Sequence, residues 1–367
     1  MVKPVIYINE GLDVLSSILR KLNPEKIFIV ASKTAYASVS DDIQVLVKGI
    51  NVYIFNDFSE NPDFFDVSKG ISIYNKYSPD MILAVGGGSA IDIAKSIKIL
   101  AVQNNNIEKI IKGEEKIFYE SSIPLVVMPT TAGTGSEATH FSVIYLNKKK
   151  YSLQHKSMLP SYVILDHYLV RTMPKYLAAC TVFDALSQAV ESHWSKYATK
   201  ESKKYSGNAI RLILSNLPVS IINPNNENRK EIVKAAYLSG CSINITKTTA
   251  PHAISYSLTS NFGIPHGHAV ASLLGQAAVV SYDICTDKQK LIFHEIFEMF
   301  NCTNSINFCL KWRDLMLMSG LETRLGKLGV SNTDVMCLVN NINIDRMKGH
   351  PVILNENQVK VIVEESL

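Results

Sequence analysis

The stretch Asp80-Met-Ile-Leu-Ala-Val85-Gly86-Gly87-Gly88 decides the fold, and an amphipathic segment from Ser89 to Val102 follows it. The apolar run predicts a buried strand, and the segment after the glycines predicts a helix. Glycines at such a corner let the backbone approach a ligand, and the helix N-terminus offers unpaired N–H groups to a phosphate. A tight turn without a ligand explains the same glycines equally well.

The same alternation of strand and helix extends in both directions along the first half of the chain. The predicted strands and helices are a strand-like run at residues 1–8, strands at 26–31, 50–55 and 123–128, and helices from about residue 34 and over 63–77. Strands that alternate with helices predict a parallel sheet covered on both faces. We therefore expect an α/β nucleotide-binding domain over residues 1–173.

Helical periodicity dominates from Lys175 to the end of the chain, so residues 174–367 are predicted to form an all-α domain that binds metal and substrate. Within it, 223–228 is expected to be a loop and 355–367 a final helix. A chain of 367 residues accommodates two such domains.

Composition excludes several other classes of protein. A formal net charge of +4, without a dense run of lysine and arginine, argues against nucleic acid as a partner. No apolar run reaches the ~20 residues of a membrane span, and the first residues do not resemble a signal peptide. The six cysteines form no CxxC pair, which is typical of free thiols in a reducing compartment. The expected location is the cytoplasm.

A second loop with ligand-binding character follows the strand at 123–128. It reads Pro129-Thr-Thr-Ala-Gly-Thr-Gly-Ser-Glu137, and the hydroxyls of Thr130, Thr131, Thr134 and Ser136 are candidate donors to a pyrophosphate or a nicotinamide amide. A helix cap with Glu137 in the first turn is the structural alternative. Two such loops at the carboxyl ends of two strands form a crevice of the kind in which open α/β sheets bind ligands.

Possible metal ligands lie in the helical half. Asp184 and Gln188 stand four residues apart on one predicted helix face, His252 lies in a helical run, and His266 follows the breaker Gly263-Ile-Pro265. Carboxylate and imidazole groups are ligands expected for Fe(II) or Zn(II). An isolated histidine on a helix is more often a core residue, and an Asp/Gln pair at this spacing is usually a side-chain contact.

Together these motifs resemble the iron-containing (group III) alcohol dehydrogenases. The resemblance rests on four motifs in the right order, from about residue 5 to beyond 350: Gly86-Gly-Gly-Ser-Ala-Ile-Asp92, residues 129–137, Asp184-Ala-Leu186, and His252 with Ile264-Pro-His-Gly-His268. It implies a dehydroquinate synthase-like fold, with a divalent metal in a cleft between the two domains and a dimer or larger homo-oligomer. It also implies that NADPH or NADH is bound by Ser32, Gly86, Gly87, Gly88, Ser89, Asp92, Thr130, Thr131, Thr134 and Ser136.

Carried over by position, Asp184, His252 and His266 correspond to metal ligands that also serve catalysis. This chain has Gln188 where the family commonly has a histidine, so three roles stay open: direct coordination, a hydrogen bond to water on the metal, or a weakened site. Tyr256 replaces a second histidine that many members carry, which leaves the proton donor unassigned.

A narrower likeness links the chain to the phosphonoacetaldehyde reductase (hydroxyethylphosphonate dehydrogenase) branch, through residues 184–188, 245–252 and 266–268. Lys247, Thr248, Thr249 and His268 are accordingly predicted to bind an anionic substrate group. A solvated lysine and capping threonines are the alternative. His140 and Lys156 are weaker candidates.

The expected reaction is the metal-dependent, NAD(P)H-linked reduction of phosphonoacetaldehyde to 2-hydroxyethylphosphonate. Three alternatives remain: an alcohol dehydrogenase acting on an uncharged alcohol, diol or lactaldehyde, a sugar-phosphate cyclase like dehydroquinate synthase, and a binding protein with a decayed metal site. Ser32 and Lys33 stand where many NAD-preferring members have an aspartate, so NADPH is expected to be tolerated.

Overall fold

The computed structural model describes residues 4–147 and 149–367 and divides the chain into two compact units, residues 1–173 and 174–367. The first three residues of the strand-like run at 1–8 lie outside the described residues. Among the described residues, no helix has the length and apolar character that crossing a membrane requires. All six cysteines are free.

The first unit is an α/β structure with a parallel sheet. Its strands are β1 (Val5–Ile8), β2 (Lys26–Ala31), β3 (Asn51–Phe55), β4 (Met81–Gly86), β5 (Leu125–Pro129), β6 (Phe141–Leu146), β7 (Lys149–Gln154) and β8 (Tyr162–Leu165). Its helices are α1 (Val14–Leu22), α2 (Lys33–Ala37), α3 (Ser40–Leu46), α4 (Phe64–Tyr77), α5 (Gly88–Leu100) and α6 (Ile107–Lys112). Six strands pair in parallel in the order β1-β8-β5-β4-β2-β3.

Alternating side chains of the buried strands supply two cores, one on each face of the sheet. Ile27, Ile29 and Leu83 pack with α1 and α3, whereas Phe28 and Ile82 pack on the opposite face with α4 and α5. Both faces of the central strands are therefore covered, which explains why β4 is buried along its whole length.

Several features of this unit differ from the sequence predictions, which also lack α1, α6 and β8. The single helix expected from about residue 34 is two short helices, α2 and α3, and β6 and β7 form an antiparallel hairpin that was not predicted. The hairpin escaped prediction because the alternation in Phe141–Leu146 is weak and β7 is rich in lysine, which strands disfavour.

The second unit is helical. Its helices are α7 (Lys175–Trp194), α8 (Lys200–Asn216), α9 (Val219–Ile222), α10 (Asn226–Thr246), α11 (Ala250–Phe262), α12 (His266–Asp283), α13 (Asp287–Met299), α14 (Ser305–Met318), α15 (Val335–Asn340) and α16 (Glu356–Glu364). The predicted loop at 223–228 is shorter than expected, because Asn225 caps α10 and residues 226–228 form its first turn.

Helix α7 is the centre of this unit. From residue 182 to residue 194 every side chain is buried, and α8, α10 and α12 pack around it. A helix that is buried on all sides places its polar residues in the interior, where each needs a partner. The polar residues of α7 therefore mark the candidate metal centre.

Candidate active site

The glycine loop of the first unit has a backbone that requires glycine. Gly86 ends β4 with φ at +154°, and a Cβ atom there would lie 2.7 Å from Cβ of Ala90. The carbonyl of Gly86 accepts a hydrogen bond from the N–H of Thr130 at 3.0 Å. This bond ties the glycine loop to the threonine-rich loop after β5.

The two loops also pack directly against each other. Added Cβ atoms on Gly87 and Gly88 would lie 3.2 Å and 2.8 Å from the side chains of Thr131 and Thr134, respectively. Helix α5 begins at Gly88, so the N–H groups of its first turn open at the same place. The structure thus brings together the glycines and threonines that were predicted to bind the cofactor.

The two loops lie at the point in the sheet where the strand order reverses. Strand β2 is followed by β3 on one side of the sheet, whereas β4 is followed by β5 on the other, and β2 and β4 are neighbours. A crevice at the carboxyl ends of such a strand pair is the usual ligand site of an open α/β sheet. Ser32 follows β2 at this point, and its hydroxyl lies 3.4 Å from where a Cβ on Gly86 would be.

Two of the predicted cofactor ligands also have a structural task. The carboxylate of Asp92 accepts hydrogen bonds from the hydroxyl of Ser136 at 2.5 Å and from the N–H of Val143 at 2.9 Å. Burial raises the pKa of Asp92, while the nearby Lys95 opposes that shift. Both side chains are buried and hold the threonine-rich loop through these bonds. Their contact with the cofactor stays a prediction.

Lys95 supports the same loop from inside the unit. Its ammonium group, on a side chain without exposed surface, donates to the backbone carbonyls of Ser136, Thr139 (2.7 Å) and Phe141 (3.0 Å). Ser89 is likewise engaged, because its hydroxyl donates to the carbonyl of Glu60. The hydroxyls of Ser32, Thr130, Thr131 and Thr134 remain the side-chain candidates for the cofactor, although that of Thr134 also accepts from the N–H of Ser136 at 3.3 Å.

In the second unit three helices bring three potential metal ligands together. Asp184 comes from α7, His252 from α11 and His266 from the first position of α12. One ligand atom of each lies within 4.8 Å of the others, and Nε2 of His252 is 3.2 Å from Oδ1 of Asp184. Asp184 and His252 are buried and His266 is partly exposed. The cluster is therefore open on the side of His266.

The local sequence explains how His266 reaches this place. Gly263 adopts a left-handed conformation, with φ at +67°, and ends α11, and Pro265 then precedes the first residue of α12. Gly267 permits an unusually close crossing, because a Cβ atom there would lie 1.9 Å from the carbonyl oxygen of Cys180 on α7. The contact of α12 with α7 thus sets the position of His266 relative to Asp184.

Glu191 is a functional candidate that the sequence reasoning missed. Its carboxylate, fully buried on α7, pairs with Nδ1 of His252 through Oε2. Its Oε1 accepts from the N–H of Thr249 at 2.9 Å and from the hydroxyl of Thr249 at 2.8 Å. A carboxylate on the far ring nitrogen fixes the orientation of a metal-binding histidine. The available signal was its position seven residues, or two helical turns, after Asp184.

The electrostatics of the cluster suit a cation. Burial lowers the pKa of His252, but the charge of Glu191 and the hydrogen bond to Asp184 outweigh it and raise the pKa to about 10. Burial likewise opposes the lowered pKa of Asp184, which results from His252 and His266. Two carboxylates thus favour positive charge here, and one carboxylate with two imidazoles is a donor set that fits Fe(II) or Zn(II).

Gln188 lies beside this cluster, one turn after Asp184. Its amide hydrogen-bonds the carboxylate of Asp184, and its oxygen accepts from the hydroxyl of Ser239 at 3.3 Å. The side chain therefore contacts a candidate ligand, and all three roles left open by the sequence remain compatible with its position.

The exposed side of the cluster is walled by aromatic and cationic groups. The ring of Tyr256 stacks on His266 with centroids 5.4 Å apart and planes 14° apart. The hydroxyl of Tyr256 accepts a hydrogen bond from Arg346 at 3.3 Å. Arg346 was not singled out in the sequence, because no local motif connects residue 346 with a histidine 80 positions earlier.

Two of the predicted substrate contacts, Thr249 and His268, take part in interior hydrogen bonds. Thr249 is fully buried, donates to Glu191, and accepts from the indole of Trp194 at 3.0 Å. His268 is also buried, with Nδ1 3.0 Å from the hydroxyl of Tyr176 and Nε2 2.6 Å from the carbonyl of Glu322. Neither side chain has a free polar face for a substrate group, because both satisfy interior hydrogen bonds.

The other substrate candidates are placed differently. Lys247 and Thr248 are partly exposed at the end of α10, and burial lowers the pKa of Lys247 to about 8. Lys156, in the first unit, pairs with Glu120 at 2.9 Å, and the ring of His140 packs against Phe141. Lys247 and Thr248 therefore remain the sequence-derived candidates for an anionic group.

An α/β unit with phosphate-type loops and a helical unit with a divalent-metal donor set describe a protein that combines a nucleotide cofactor with a metal. Comparison with known proteins agrees. The sequence model of the iron-containing alcohol dehydrogenase family matches residues 4–167. The sequence model of the C-terminal part of the Fe-containing alcohol dehydrogenase family matches residues 178–367. The chain belongs to the iron-containing alcohol dehydrogenase family, which is a family of oxidoreductases.

Individual relatives share this architecture. Long-chain-alcohol dehydrogenase 1 of Geobacillus thermodenitrificans is 30% identical over 251 residues, and 1,3-propanediol dehydrogenase of Klebsiella pneumoniae is 33% identical over 254 residues. Each alignment covers 68% of this chain and 64% of the relative's length. The structure of sulfoacetaldehyde reductase from Bifidobacterium kashiwanohense in complex with NAD+ superimposes with a TM-score of 0.90 and 26% identity. That match covers 99% of this chain and 97% of the reductase.

Proposed function

We propose that this protein catalyses the metal-dependent, NAD(P)H-linked reduction of an aldehyde to a primary alcohol, with phosphonoacetaldehyde as the substrate. The observation that carries the proposal is the convergence of Asp184, His252 and His266, with ligand atoms within 4.8 Å of one another. The buried carboxylate of Glu191 behind His252 is the kind of partner that orients a metal-binding histidine.

Asp184, His252 and His266 would hold the metal, with Gln188 beside them. When bound, the metal supplies a Lewis acid for the oxygen of the carbonyl group that is reduced. Glu191 fixes the orientation of His252, and the close approach of Gly267 to α7 fixes the position of His266. The stacked ring of Tyr256 covers one face of His266 and shields it from water.

The dinucleotide would bind at the loops after β4 and β5. Gly86, Gly87 and Gly88 let its pyrophosphate approach the N-terminus of α5, and Ser32, Thr130 and Thr131 contribute hydroxyls. Lys33 is exposed just after Ser32, so a 2′-phosphate meets a cation instead of a carboxylate. NADPH is therefore expected to be used, and Ser32→Asp to lower kcat/KM for NADPH while sparing NADH. An unchanged NADPH/NADH ratio in this variant would place the 2′-phosphate elsewhere.

Two observations support an anionic aldehyde. The sulfoacetaldehyde reductase relative is named for a two-carbon aldehyde that carries a sulfonate, and phosphonoacetaldehyde is its phosphonate counterpart. Lys247 and Thr248 supply a cation and a hydroxyl at the end of α10. The second candidate is an uncharged alcohol or diol, favoured by the likeness to 1,3-propanediol dehydrogenase.

The test is a nicotinamide absorbance assay on protein loaded with Fe(II) or Zn(II). Phosphonoacetaldehyde and propionaldehyde are compared, each with NADPH and with NADH. We expect kcat/KM to be higher for the phosphonate by at least about tenfold, the value of one charge-assisted contact. Equal or faster turnover of propionaldehyde would refute the phosphonate assignment and favour the uncharged substrate class.

A further inference from the structure

Arg346 is placed beside the candidate metal centre by a stack of side chains. Its guanidinium lies over the ring of Tyr256, 5.0 Å from the centroid, and the ring of His266 stacks on Tyr256 with centroids 5.4 Å apart. One cation–ring contact and one ring–ring contact thus connect this cation with a candidate metal ligand. The three groups come from separate elements, a short 3-10 turn (Ile344–Met347), α11 and α12.

The guanidinium carries hydrogen-bonding capacity that the protein leaves unused. Over residues 4–147 and 149–367, its one hydrogen bond is the contact from Nη1 to the hydroxyl of Tyr256, and no carboxylate pairs with it. The adjacent Asp345 is paired with Lys348 at 2.7 Å. A guanidinium has five N–H donors in a planar fork. Four of these donors have no protein acceptor within the described residues, although the side chain is half-buried.

The hydroxyl of Tyr256 accounts for this geometry. The hydroxyl accepts a hydrogen bond from one edge of the guanidinium, and the ring makes a cation–π contact with the same group. Together these two contacts hold the guanidinium in one orientation. A pre-organised fork of this kind matches the paired oxygens of a phosphonate or sulfonate, which bind in bidentate fashion. Propionaldehyde, which has no anionic group, would gain nothing from it.

We propose that Arg346, oriented by Tyr256, binds the anionic group of the aldehyde substrate and determines the preference for a phosphonate or sulfonate over an uncharged chain. This inference rests on the proposed aldehyde reduction and adds the residue that selects the substrate class. Tyr256 has two contacts in this arrangement: its ring stacks on His266, and its hydroxyl is the acceptor that positions Arg346.

The test compares Arg346→Gln with the control Lys348→Gln. Lys348 is exposed and lies two residues after Arg346, so the control variant also removes one positive charge from this segment. With metal-loaded protein, Arg346→Gln is expected to lower kcat/KM for phosphonoacetaldehyde about 10- to 100-fold, the range for a charge-assisted hydrogen-bonding pair. Its turnover of propionaldehyde stays within about twofold of wild type, and Lys348→Gln changes neither value beyond about twofold. Tyr256→Phe shifts the phosphonate value in the same direction by a smaller factor.

A binding measurement separates this inference from the proposed reaction. Calorimetry with ethylphosphonate needs no turnover, and Arg346→Gln is expected to weaken its binding by a factor similar to the loss in kcat/KM. Equal affinity of wild type and Arg346→Gln for ethylphosphonate would overturn the role of Arg346, whatever the protein reduces. A third outcome is that the wild type reduces neither aldehyde, while Arg346→Gln binds ethylphosphonate more weakly than the wild type does. That outcome would refute the proposed reaction and support the anion site at Arg346.

Discussion

The loops of the first unit and the metal cluster of the second are built in opposite ways. The loops are two continuous stretches of backbone whose shape depends on missing side chains, at Gly86, Gly87 and Gly88. The cluster consists of side chains from three helices, with Asp184 and His266 separated by 82 positions. A backbone site should tolerate changes of polar side chains and fail when a methyl group is added. A side-chain site should fail when one functional group is lost.

The largest loss of metal binding and stability is expected where the metal cluster depends on close backbone packing between two helices. Gly267→Ala introduces a Cβ atom 1.9 Å from the carbonyl oxygen of Cys180, which forces α12 away from α7 and moves His266. We expect loss of metal binding and a destabilisation of several kcal/mol, as for other overpacked cores. Metal analysis and thermal unfolding measure both.

Gly207→Ala in α8 is the matched control, because its added Cβ would meet only ordinary contacts of 3.7 Å and beyond. Wild-type metal content and stability in Gly267→Ala would contradict the close crossing of α7 and α12.

The next largest effect is a loss of metal affinity when one side chain of the cluster loses its functional group. Glu191→Gln keeps the shape of the side chain but turns an acceptor for Nδ1 of His252 into a neutral amide. Loss of such an outer carboxylate typically costs about 10- to 100-fold in metal affinity. Competition with a metal chelator gives the affinity directly, and the kcat of fully loaded enzyme gives an independent readout.

Glu295→Gln is the control, since Glu295 pairs with His193 at 3.1 Å outside the cluster. If Glu191→Gln binds metal as tightly as Glu295→Gln does, Glu191 has no role in orienting His252.

A smaller effect, on nucleotide binding and not on metal binding, is expected at the glycine loop. In Gly88→Ala the new Cβ would lie 2.8 Å from the side chain of Thr134, so the two loops must separate. We expect KM for NADPH and NADH to rise about tenfold, the equivalent of one backbone-phosphate contact. Metal affinity should stay at the wild-type value, because the cluster lies in the other unit. An unchanged KM for both nucleotides would show that the cofactor does not depend on this corner.

The smallest effect concerns Lys247, whose pKa burial lowers to about 8. Below that pH the ammonium group is charged and above it the group becomes neutral, so any contribution of Lys247 to anion binding is present at pH 7 and lost by pH 9. With sulfoacetaldehyde, whose charge is constant in this range, kcat/KM should fall a few-fold relative to propionaldehyde between these values. A constant ratio would exclude Lys247 from anion binding and leave Arg346 as the candidate.

The difference between the two regions also explains what the sequence could predict. The glycine corner after β4 and the parallel sheet follow from local pattern, because strand, turn and helix are contiguous there. Asp184, His252 and His266 were found through the family resemblance, since spacing alone does not bring three helices together. Glu191 and Arg346 were missed because their importance depends on partners distant in the sequence.

The direction of a side chain is a further property that the sequence does not predict. Asp92, Ser136, Thr249 and His268 carry suitable functional groups near the right motifs, but each is turned inward to satisfy a buried partner. Sequence gives the chemical type of a side chain and not its direction, and interior hydrogen bonds use up the same donors and acceptors that ligands need.

The most direct test of this account is to measure metal content and aldehyde reduction on the same preparations of wild type and His266→Ala. We predict about one Fe(II) or Zn(II) per wild-type chain with NADPH-linked reduction. His266→Ala should lack both metal and activity, while its affinity for NADPH remains at the wild-type value. Full metal content and undiminished reduction in His266→Ala would contradict the assignment of Asp184, His252 and His266 as the metal centre.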